Sequence, residues 1–153
     1  MTDLVAITAL GNYAPFHSEI GTLTIRENTN LALVSISVSR GQTVPEIFTM
    51  TLPNVGHWQG KADISAFWTA PNQWMIEGHG RAAEDFAELV KRAAPNCYVT
   101  EQTDGWVAFD IFSKNGTKPI ANICEKLVNI DVNALKPGTA VRTALHHMSV
   151  YLI

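Results

Sequence analysis

The fold of this chain is decided by the stretch Trp68-Thr69-Ala70-Pro71-Asn72-Gln73-Trp74-Met75-Ile76. Two short aromatic-rich runs, residues 64–68 and 74–77, stand on either side of a Pro-Asn pair. Proline presets the backbone for the first central position of a turn, and asparagine tolerates the left-handed conformation. Alternating apolar runs around such a turn are typical of a β-hairpin. The stretch therefore predicts two antiparallel strands.

Further strands are predicted on both sides of this hairpin. Residues 31–40 alternate apolar and small polar side chains and end at Gly41, the pattern of a strand with one apolar face. Asp104-Gly105, a strong hairpin-turn signal, separates residues 97–103 from residues 106–112 and predicts a second hairpin. Residues 139–153 are also strand-like.

Three segments have helical spacing. In residues 81–94 the apolar side chains recur at the i, i+3, i+4 and i+7 positions, and acidic residues precede basic ones as the helix dipole favours. Residues 117–128 carry Pro119 in the first turn, and residues 44–52 carry Pro45 there, the position where proline is tolerated. The three segments are predicted as helices.

The order of these elements predicts an α+β fold in two layers, with helices packed on antiparallel hairpins. A β-α-β-β unit is predicted to be repeated around residue 95. Residues 1–30 have no clear period and are interpreted as an extended N-terminal arm with one short strand at 21–26. Residues 31–153 then form a single domain.

Composition excludes several classes of function. The net charge is -3, and Lys91-Arg92 is the only adjacent pair of cations, so nucleic acid is not an expected partner. No run approaches the ~18 apolar residues of a membrane span, and the first residues lack the basic and apolar regions of a signal peptide. Two isolated cysteines predict free thiols and not a disulfide framework. We expect a cytoplasmic protein that does not bind membranes.

No complete catalytic or ligand-binding motif is present. Gly78-His79-Gly80 lacks the third glycine and the lysine of a phosphate loop, and no Gly-x-Ser-x-Gly elbow occurs. His146 and His147 are adjacent in a predicted strand, so they would point to opposite faces and not chelate one ion. The sequence therefore predicts no catalytic, cofactor-binding or metal-binding residues in this chain. Whether the chain is part of an enzyme stays open at this point.

The tryptophans are the remaining candidates for a functional surface. Core packing is the ordinary use of aromatic residues on short strands. Tryptophan is also enriched at protein interfaces, and Trp68, Trp74 and Trp106 are the candidate interface residues.

Three ordered motifs resemble the gamma subunit of heterotetrameric sarcosine oxidase, over roughly residues 30–153. Residues 68–76 resemble that family's leucine-glycine-proline-aspartate-glutamate-tryptophan-leucine-leucine hairpin. Residues 99–111, VTEQTDGWVAFDI, resemble its next hairpin. Residues 127–132, LVNIDV, and 135–143, LKPGTAVRT, resemble its isoleucine-aspartate-leucine, proline-glycine and arginine-threonine connector.

This resemblance implies a non-catalytic accessory subunit of a bacterial flavoenzyme that oxidatively demethylates sarcosine or a related N-methyl amino acid. The fold would be similar to the folate-binding domain of the glycine-cleavage aminomethyltransferase. The partners would be the alpha, beta and delta subunits. FAD, FMN, NAD, tetrahydrofolate and zinc would be held by those partners and not by this chain.

The chain departs from the family pattern in three places. Asn72-Gln73 replaces two acidic residues in the turn, and residues 113–118 match only with an insertion. The family continues with another strand and a C-terminal helix, whereas this sequence stops at Tyr151-Leu152-Ile153, so those two elements are expected to be missing.

Two other functions are compatible with the sequence. The first is a stand-alone domain that binds folate or another small ligand, in which Glu77, Asp104 or Asp110 would hold a pterin ring. The second is a structural module that assembles with copies of itself.

Overall fold

A five-stranded antiparallel sheet organises the computed structural model of this chain, which describes residues 5–153. The sheet has the strand order β6-β7-β8-β3-β9, and a three-stranded sheet of order β1-β2-β10 lies beside it. Two short hairpins, β4–β5 and β11–β12, complete the strands. The bounds are β1 (His17–Ile20), β2 (Leu23–Asn28), β3 (Leu31–Ser37), β4 (Glu46–Ile47), β5 (Met50–Thr51), β6 (Trp58–Lys61), β7 (Ile64–Ala70), β8 (Gln73–His79), β9 (Tyr98–Glu101), β10 (Ala108–Ser113), β11 (Val141–Leu145), β12 (Met148–Leu152), α1 (Phe86–Ala93) and α2 (Lys118–Leu127).

The hairpin predicted from residues 64–77 is confirmed as β7–β8. Trp68 lies opposite Trp74, and Asn72 occupies the turn with a left-handed φ of 58°. The register shifts by one residue between Trp68 and Ala70, as in a β-bulge. β8 continues the sheet by pairing with β3, the strand predicted at residues 31–40.

The main core lies between one face of this sheet and α1. Alternate residues of β3, β7 and β8 point to that face, and Phe86 and Val90 of α1 are fully buried against it. The β4–β5 hairpin adds Ile47 and Met50, which are also fully buried. Such side chains each contribute roughly 1.5–3 kcal/mol through burial, so this layer carries much of the stability.

The opposite face of the sheet is covered near the C-terminus of the chain. Phe67 packs against Tyr151 of β12 with ring centroids 4.8 Å apart, and Trp106 lies 5.5 Å from the same tyrosine. Two backbone hydrogen bonds, from Trp58 to Gly138 and from Ala140 to Gly56, fix the segment before β11 to the start of β6. The five-stranded sheet is thus covered on both faces.

Residues 17–28, within the segment interpreted as an arm, contribute two strands to a sheet and not one short strand. β2 pairs with β1 on one side and with β10 on the other. The β2–β10 register places Phe109 opposite Glu27, far apart in the sequence. The predicted boundary at residue 30 therefore falls between β2 and β3, which are consecutive strands. The division into an arm and a domain stays a prediction.

The helix predicted at residues 44–52 is wrong. The segment forms the β4–β5 hairpin, in which Phe48 and Thr49 occupy the turn with φ values of 49° and 64°. Ile47 and Met50 are three residues apart, a spacing that puts them on one face of a helix. Around a two-residue turn the same spacing makes them direct cross-strand partners, so the apolar pattern fits both structures.

The hairpin predicted around Asp104-Gly105 is also wrong. β9 pairs with β3 in one sheet and β10 pairs with β2 in the other, and Thr103–Gly105 form a 3₁₀ turn between them. Side-chain contacts stabilise this crossing: the Glu101 carboxylate accepts from the Thr103 hydroxyl, and the Leu33 amide donates to that hydroxyl oxygen at 3.0 Å. Residues 101–103 are therefore attached to β3 at the position where the predicted hairpin would have reversed the chain.

The predicted helices at 81–94 and 117–128 are confirmed as α1 and α2, with shorter bounds. α1 begins only after Asp85, whose carboxylate caps it by accepting from the Glu88 amide. The C-terminal strand segment folds as the β11–β12 hairpin, with His146 and His147 in its turn and not within a strand. The order after residue 95 is β9, β10, α2, β11 and β12, one strand more than the predicted β-α-β-β unit, and the repeat itself stays a prediction.

Candidate functional site

The three candidate interface tryptophans lie in different environments. Trp74 is only 6% exposed and its indole N–H donates to the Pro53 carbonyl at 2.8 Å, so it is a core residue of this chain. Trp68 is half-buried at the margin of the main core. Trp106 is half-buried against Tyr151. Of these three tryptophans, only Trp68 and Trp106 keep exposed surface that a partner could contact.

Most of the exposed apolar surface lies elsewhere, on the three-stranded sheet and the segment that leads into it. Of the sixteen large apolar residues that are exposed among residues 5–153, nine fall within residues 5–20 or 107–112. We define the apolar surface of this sheet by four of them: Phe16, Ile20, Phe109 and Phe112, which are 38–57% exposed. Concentrated apolar exposure of this kind marks an interaction site more often than scattered residues do.

Both sides of the three-stranded sheet contribute to this surface. Phe16 and Phe109 contact each other edge to face, with centroids 6.4 Å apart. Phe112 lies three residues further along β10, so alternation places it on the other face. There the Arg26 guanidinium lies 5.5 Å from its ring and pairs with Asp110 at 3.1 Å. Apolar residues flanked by exposed ion pairs resemble the core and rim of a protein interface.

A buried polar network lies on the β12-covered face of the five-stranded sheet. The Glu77 carboxylate, 6% exposed, accepts from the indole N–H of Trp58 at 2.9 Å and from the hydroxyl of Ser65 at 2.5 Å. His79 Nε2 lies 2.9 Å from the same hydroxyl oxygen. Because the hydroxyl proton goes to Glu77, the imidazole is the donor in the Ser65–His79 pair.

This serine–histidine pair does not form a nucleophile. Ser65 is 1% exposed, so a substrate carbonyl cannot reach its oxygen. A general base must accept the nucleophile's proton, whereas here the proton is given to a carboxylate and the histidine donates. The network instead supplies hydrogen-bond partners to the buried carboxyl group of Glu77.

The three acidic residues considered for a pterin ring are not brought together. Glu77 belongs to the five-stranded sheet, Asp110 pairs with Arg26 on the three-stranded sheet, and Asp104 lies in the turn between the sheets. No second acidic residue completes a shared site around Glu77 within residues 5–153.

Other reactive side chains do not converge either. Over residues 5–153, no three His, Cys, Asp or Glu side chains cluster as a metal site requires. Burial raises the pKa of the Cys97 and Cys124 thiols, which disfavours the reactive thiolate. Asp63 shows the opposite shift: a side-chain hydrogen bond from Arg81, 2.8 Å away, holds the pKa of that carboxyl below its ordinary value.

One buried acid was missed by the sequence analysis. Glu27 is 3% exposed; its Oε2 accepts from the Phe16 amide at 2.9 Å, and its Oε1 is buried without a partner among the described residues. The signal was present, because Leu23, Ile25 and Glu27 alternate along β2 and share the face that turns inward.

Neither helix of residues 5–153 has the length and apolarity needed to cross a bilayer.

No protein-family model and no curated protein matches the sequence. Among solved structures, a chain of heterotetrameric sarcosine oxidase from Corynebacterium sp. U-96, in complex with pyrrole 2-carboxylate, matches with a TM-score of 0.65 and 16% identity. The match covers 84% of this chain and 68% of that one.

The chain has the fold of a sarcosine oxidase subunit. The predicted α+β class is confirmed with it, since the chain forms mostly antiparallel sheets with two helices. The motif resemblance at residues 68–76, 99–111, 127–132 and 135–143 thus pointed to the right fold, although residues 99–111 form a crossing between sheets and not a hairpin.

Proposed function

We propose that this chain is a non-catalytic accessory subunit, of the gamma type, in a heterotetrameric flavin-dependent complex of the sarcosine oxidase class. The observation that carries the proposal is the fold shared with a chain of that enzyme over 84% of the present sequence. The aligned stretch is 84% of one chain and 68% of the other, so the matched chain is longer by only roughly a quarter. A small subunit is therefore the relevant comparison.

The chemistry of this chain supports an accessory role. The Ser65–His79 pair is buried, and its hydroxyl proton is donated to Glu77 and not to the histidine. Burial raises the pKa of both thiols, which favours their neutral form. In this proposal the alpha, beta and delta partners hold FAD, FMN, NAD, tetrahydrofolate and zinc. The complex would oxidatively demethylate sarcosine or a related N-methyl amino acid.

The apolar surface of the three-stranded sheet is the proposed contact with the larger subunits. Phe16 and Phe109 form an aromatic pair on one side, and Phe112 lies on the other with Arg26 over its ring. Aromatic residues and arginine are enriched where protein partners bind tightly. Trp106, close to β10 in sequence, would lie at the margin of the same contact.

Co-expression tests the proposal. A tagged form of this chain is produced together with candidate alpha, beta and delta subunits, and the purified material is examined for stoichiometric partners and for flavin absorbance. We expect a complex that oxidises sarcosine or another N-methyl amino acid, while the isolated chain shows neither flavin nor activity. Purification of this chain alone in the presence of all three partners would contradict the proposal.

A further inference from the structure

The loop between β10 and α2 contains the pair Asn115-Gly116, and Asn115 is the only asparagine of the chain that is followed by glycine. In such a pair the backbone nitrogen of the glycine can attack the side-chain amide carbon of the asparagine, because glycine has no Cβ to shield that nitrogen. The five-membered ring that results is a succinimide. The pair is therefore a candidate for a modification that needs no enzyme.

The fold leaves this pair accessible. Asn115 and Gly116 are both exposed, and a Cβ at Gly116 would meet no atom within 4 Å. Among residues 5–153, no group accepts a hydrogen bond from the Gly116 amide, and the side-chain amide of Asn115 has no hydrogen-bond partner; only the Asn115 backbone amide is used, as a donor to Ser113. The attacking nitrogen and the carbon that it attacks therefore have no protecting contact in this part of the chain.

Two other sites show which conditions matter. Asn54 is exposed as well, but it is followed by Val55, whose β-branched side chain shields the backbone nitrogen. Asp104-Gly105 has the required glycine, but there the Gly105 amide donates to the Gln102 carbonyl at 2.9 Å. That turn would have to open before its nitrogen could attack the carboxyl group. Neither site combines a glycine with an amide that makes no hydrogen bond.

We propose that Asn115 is converted spontaneously into isoaspartate and aspartate in the folded chain. In the first step the Gly116 nitrogen loses its proton to water and forms a bond to Cγ of Asn115, and the side-chain nitrogen leaves as ammonia. Water then adds to one of the two succinimide carbonyls and breaks its C–N bond. Opening at the former side-chain carbonyl gives aspartate, and opening at the backbone carbonyl gives isoaspartate. Nothing is oxidised or reduced, and water is the only co-reactant.

The product changes the approach to α2. Thr117 at the start of this helix makes no side-chain capping bond, and the first turn contains no acidic residue. Negative charge is favoured near a helix N-terminus, and the new carboxylate lies two residues before Thr117. Isoaspartate also adds a methylene to the backbone just after Lys114, whose amide is bonded to the Thr22 carbonyl. The inference goes beyond the accessory role and does not depend on it, although Phe112 of the apolar surface is only three residues away.

Incubation of the full-length chain in neutral buffer at physiological temperature tests the proposal. Samples taken over several weeks are digested and analysed by mass spectrometry, with a fragmentation method that distinguishes isoaspartate from aspartate. We expect progressive loss of the amide at Asn115, with isoaspartate among the products, while Asn54 keeps its amide. An intact Asn115, equal conversion of both asparagines, or aspartate as the sole product would overturn the proposal.

Two variants and a comparison in urea identify the cause. Asn115→Gln should abolish conversion at this position over the same period, since glutamine would need a six-membered ring. Gly116→Ala should slow it about tenfold or more, because the rate falls exponentially as the added methyl group raises the barrier to attack. Asn54→Gln, an exposed change in another loop, is the matched control and should leave the rate at Asn115 unchanged.

The comparison in urea tests the contribution of the fold. Asn115 should react at comparable rates in buffer and in urea, whereas isomerisation of Asp104 should be faster in urea, where its turn is open. Conversion of Asn115 in urea alone, or an unchanged rate in the Gly116→Ala variant, would contradict the proposal.

Discussion

The indole N–H of Trp58 and the carboxylate of Glu77 form a hydrogen bond of 2.9 Å between residues nineteen positions apart. Trp58 is in β6 and Glu77 in β8, and β7 lies between those strands in the sheet. Ser65 of β7 donates to the same carboxylate oxygen. One buried acid thus connects three successive strands through side chains, in addition to their backbone pairing.

Replacing Trp58 with phenylalanine should therefore destabilise the chain more than the lost apolar area suggests. Glu77 would keep only the Ser65 hydroxyl as a donor, and an under-satisfied buried charge costs about 1–3 kcal/mol. Urea denaturation measures the free energy of unfolding. Glu125→Gln, an exposed change on α2, should stay within about 0.5 kcal/mol of the original protein. An unaltered midpoint for Trp58→Phe would show that the hydrogen bond contributes nothing.

Gly78→Ala and Gly80→Ala should both destabilise, for different reasons. A Cβ at Gly78 would lie 2.8 Å from ring atoms of Phe86, and such overpacking costs about 1–3 kcal/mol. Gly80 has open space but a left-handed φ of 77°, which costs an alanine about 1–2 kcal/mol. Thermal unfolding in a Phe86→Leu background separates the two causes. The smaller side chain should reduce the penalty at Gly78 and leave that at Gly80 unchanged; equal changes at both glycines would disprove the packing explanation.

Serine substitutions at Ile20 and Phe112 should weaken assembly without affecting the fold. Both side chains are more than half exposed, so the isolated chain should keep its stability within about 0.5 kcal/mol. If they contact a partner subunit, each loss should reduce affinity about tenfold or more, measured by surface plasmon resonance against the co-purified subunits. Val55→Ser removes a still more exposed apolar residue outside this sheet and should have no effect. A deficit shared by all three variants would argue against a specific surface.

The two thiols should resist alkylation in the folded chain. Desolvation raises the pKa of both Cys97 and Cys124, and a thiolate is needed for reaction with iodoacetamide. Mass spectrometry between pH 7 and 9 should show no adduct in buffer and two in urea. Since the folded pKa values are raised, the native state retains protons that the unfolded chain loses. The associated stability is present below the ordinary thiol pKa and is lost as the pH rises through the folded values. Comparable labelling rates in buffer and urea would contradict the predicted protection of the two thiols in the folded chain.

Arg81→Gln should raise the pKa of Asp63 towards its ordinary value. The hydrogen bond from Arg81 is the largest cause of the present lowering. A carboxyl with a lowered folded pKa adds stability above its unfolded pKa, and that stability is lost as the pH falls through the folded value. Carbon-detected titration of Asp63 by NMR follows the change. Arg142→Gln, which removes a guanidinium near Tyr151 instead, should leave the Asp63 titration where it was.

The sequence predicted the elements whose signals are local. The β7–β8 hairpin and both helices each depend on a turn, a cap or a period contained within a few residues, and these were found. The helix prediction for residues 44–52 was wrong because the spacing of Ile47 and Met50 fits a helical turn and a tight hairpin equally well. The hairpin predicted around Asp104-Gly105 does not form, because the Thr103 hydroxyl accepts a hydrogen bond from the Leu33 amide. Leu33 lies seventy residues before Thr103, so a local turn signal does not contain this contact.

The candidate site was predictable only in part. Trp68 and Trp106 keep some exposed surface, whereas Trp74 is enclosed by the sheet and by Pro53, contacts that its neighbours in sequence do not reveal. The apolar surface on Phe16, Ile20 and Phe112 could not be read from composition, because exposure is a property of what the fold leaves uncovered. Glu27 could have been predicted, since its alternation with Leu23 and Ile25 along β2 places an acidic side chain on the inward face.

The pairing of β2 with β10 determines the order in which the two sheets can form while the chain is being synthesised. Leu23–Asn28 emerge from the ribosome early, but their partner ends at Ser113, so this strand has only β1 beside it until most of the chain has been made. The five-stranded sheet lacks only β9 by residue 79, and Tyr98–Glu101 complete it before β10 is available. Nascent chains should thus pass through a stage with one finished sheet and one open edge, when early binding by a partner or a chaperone would have the greatest effect.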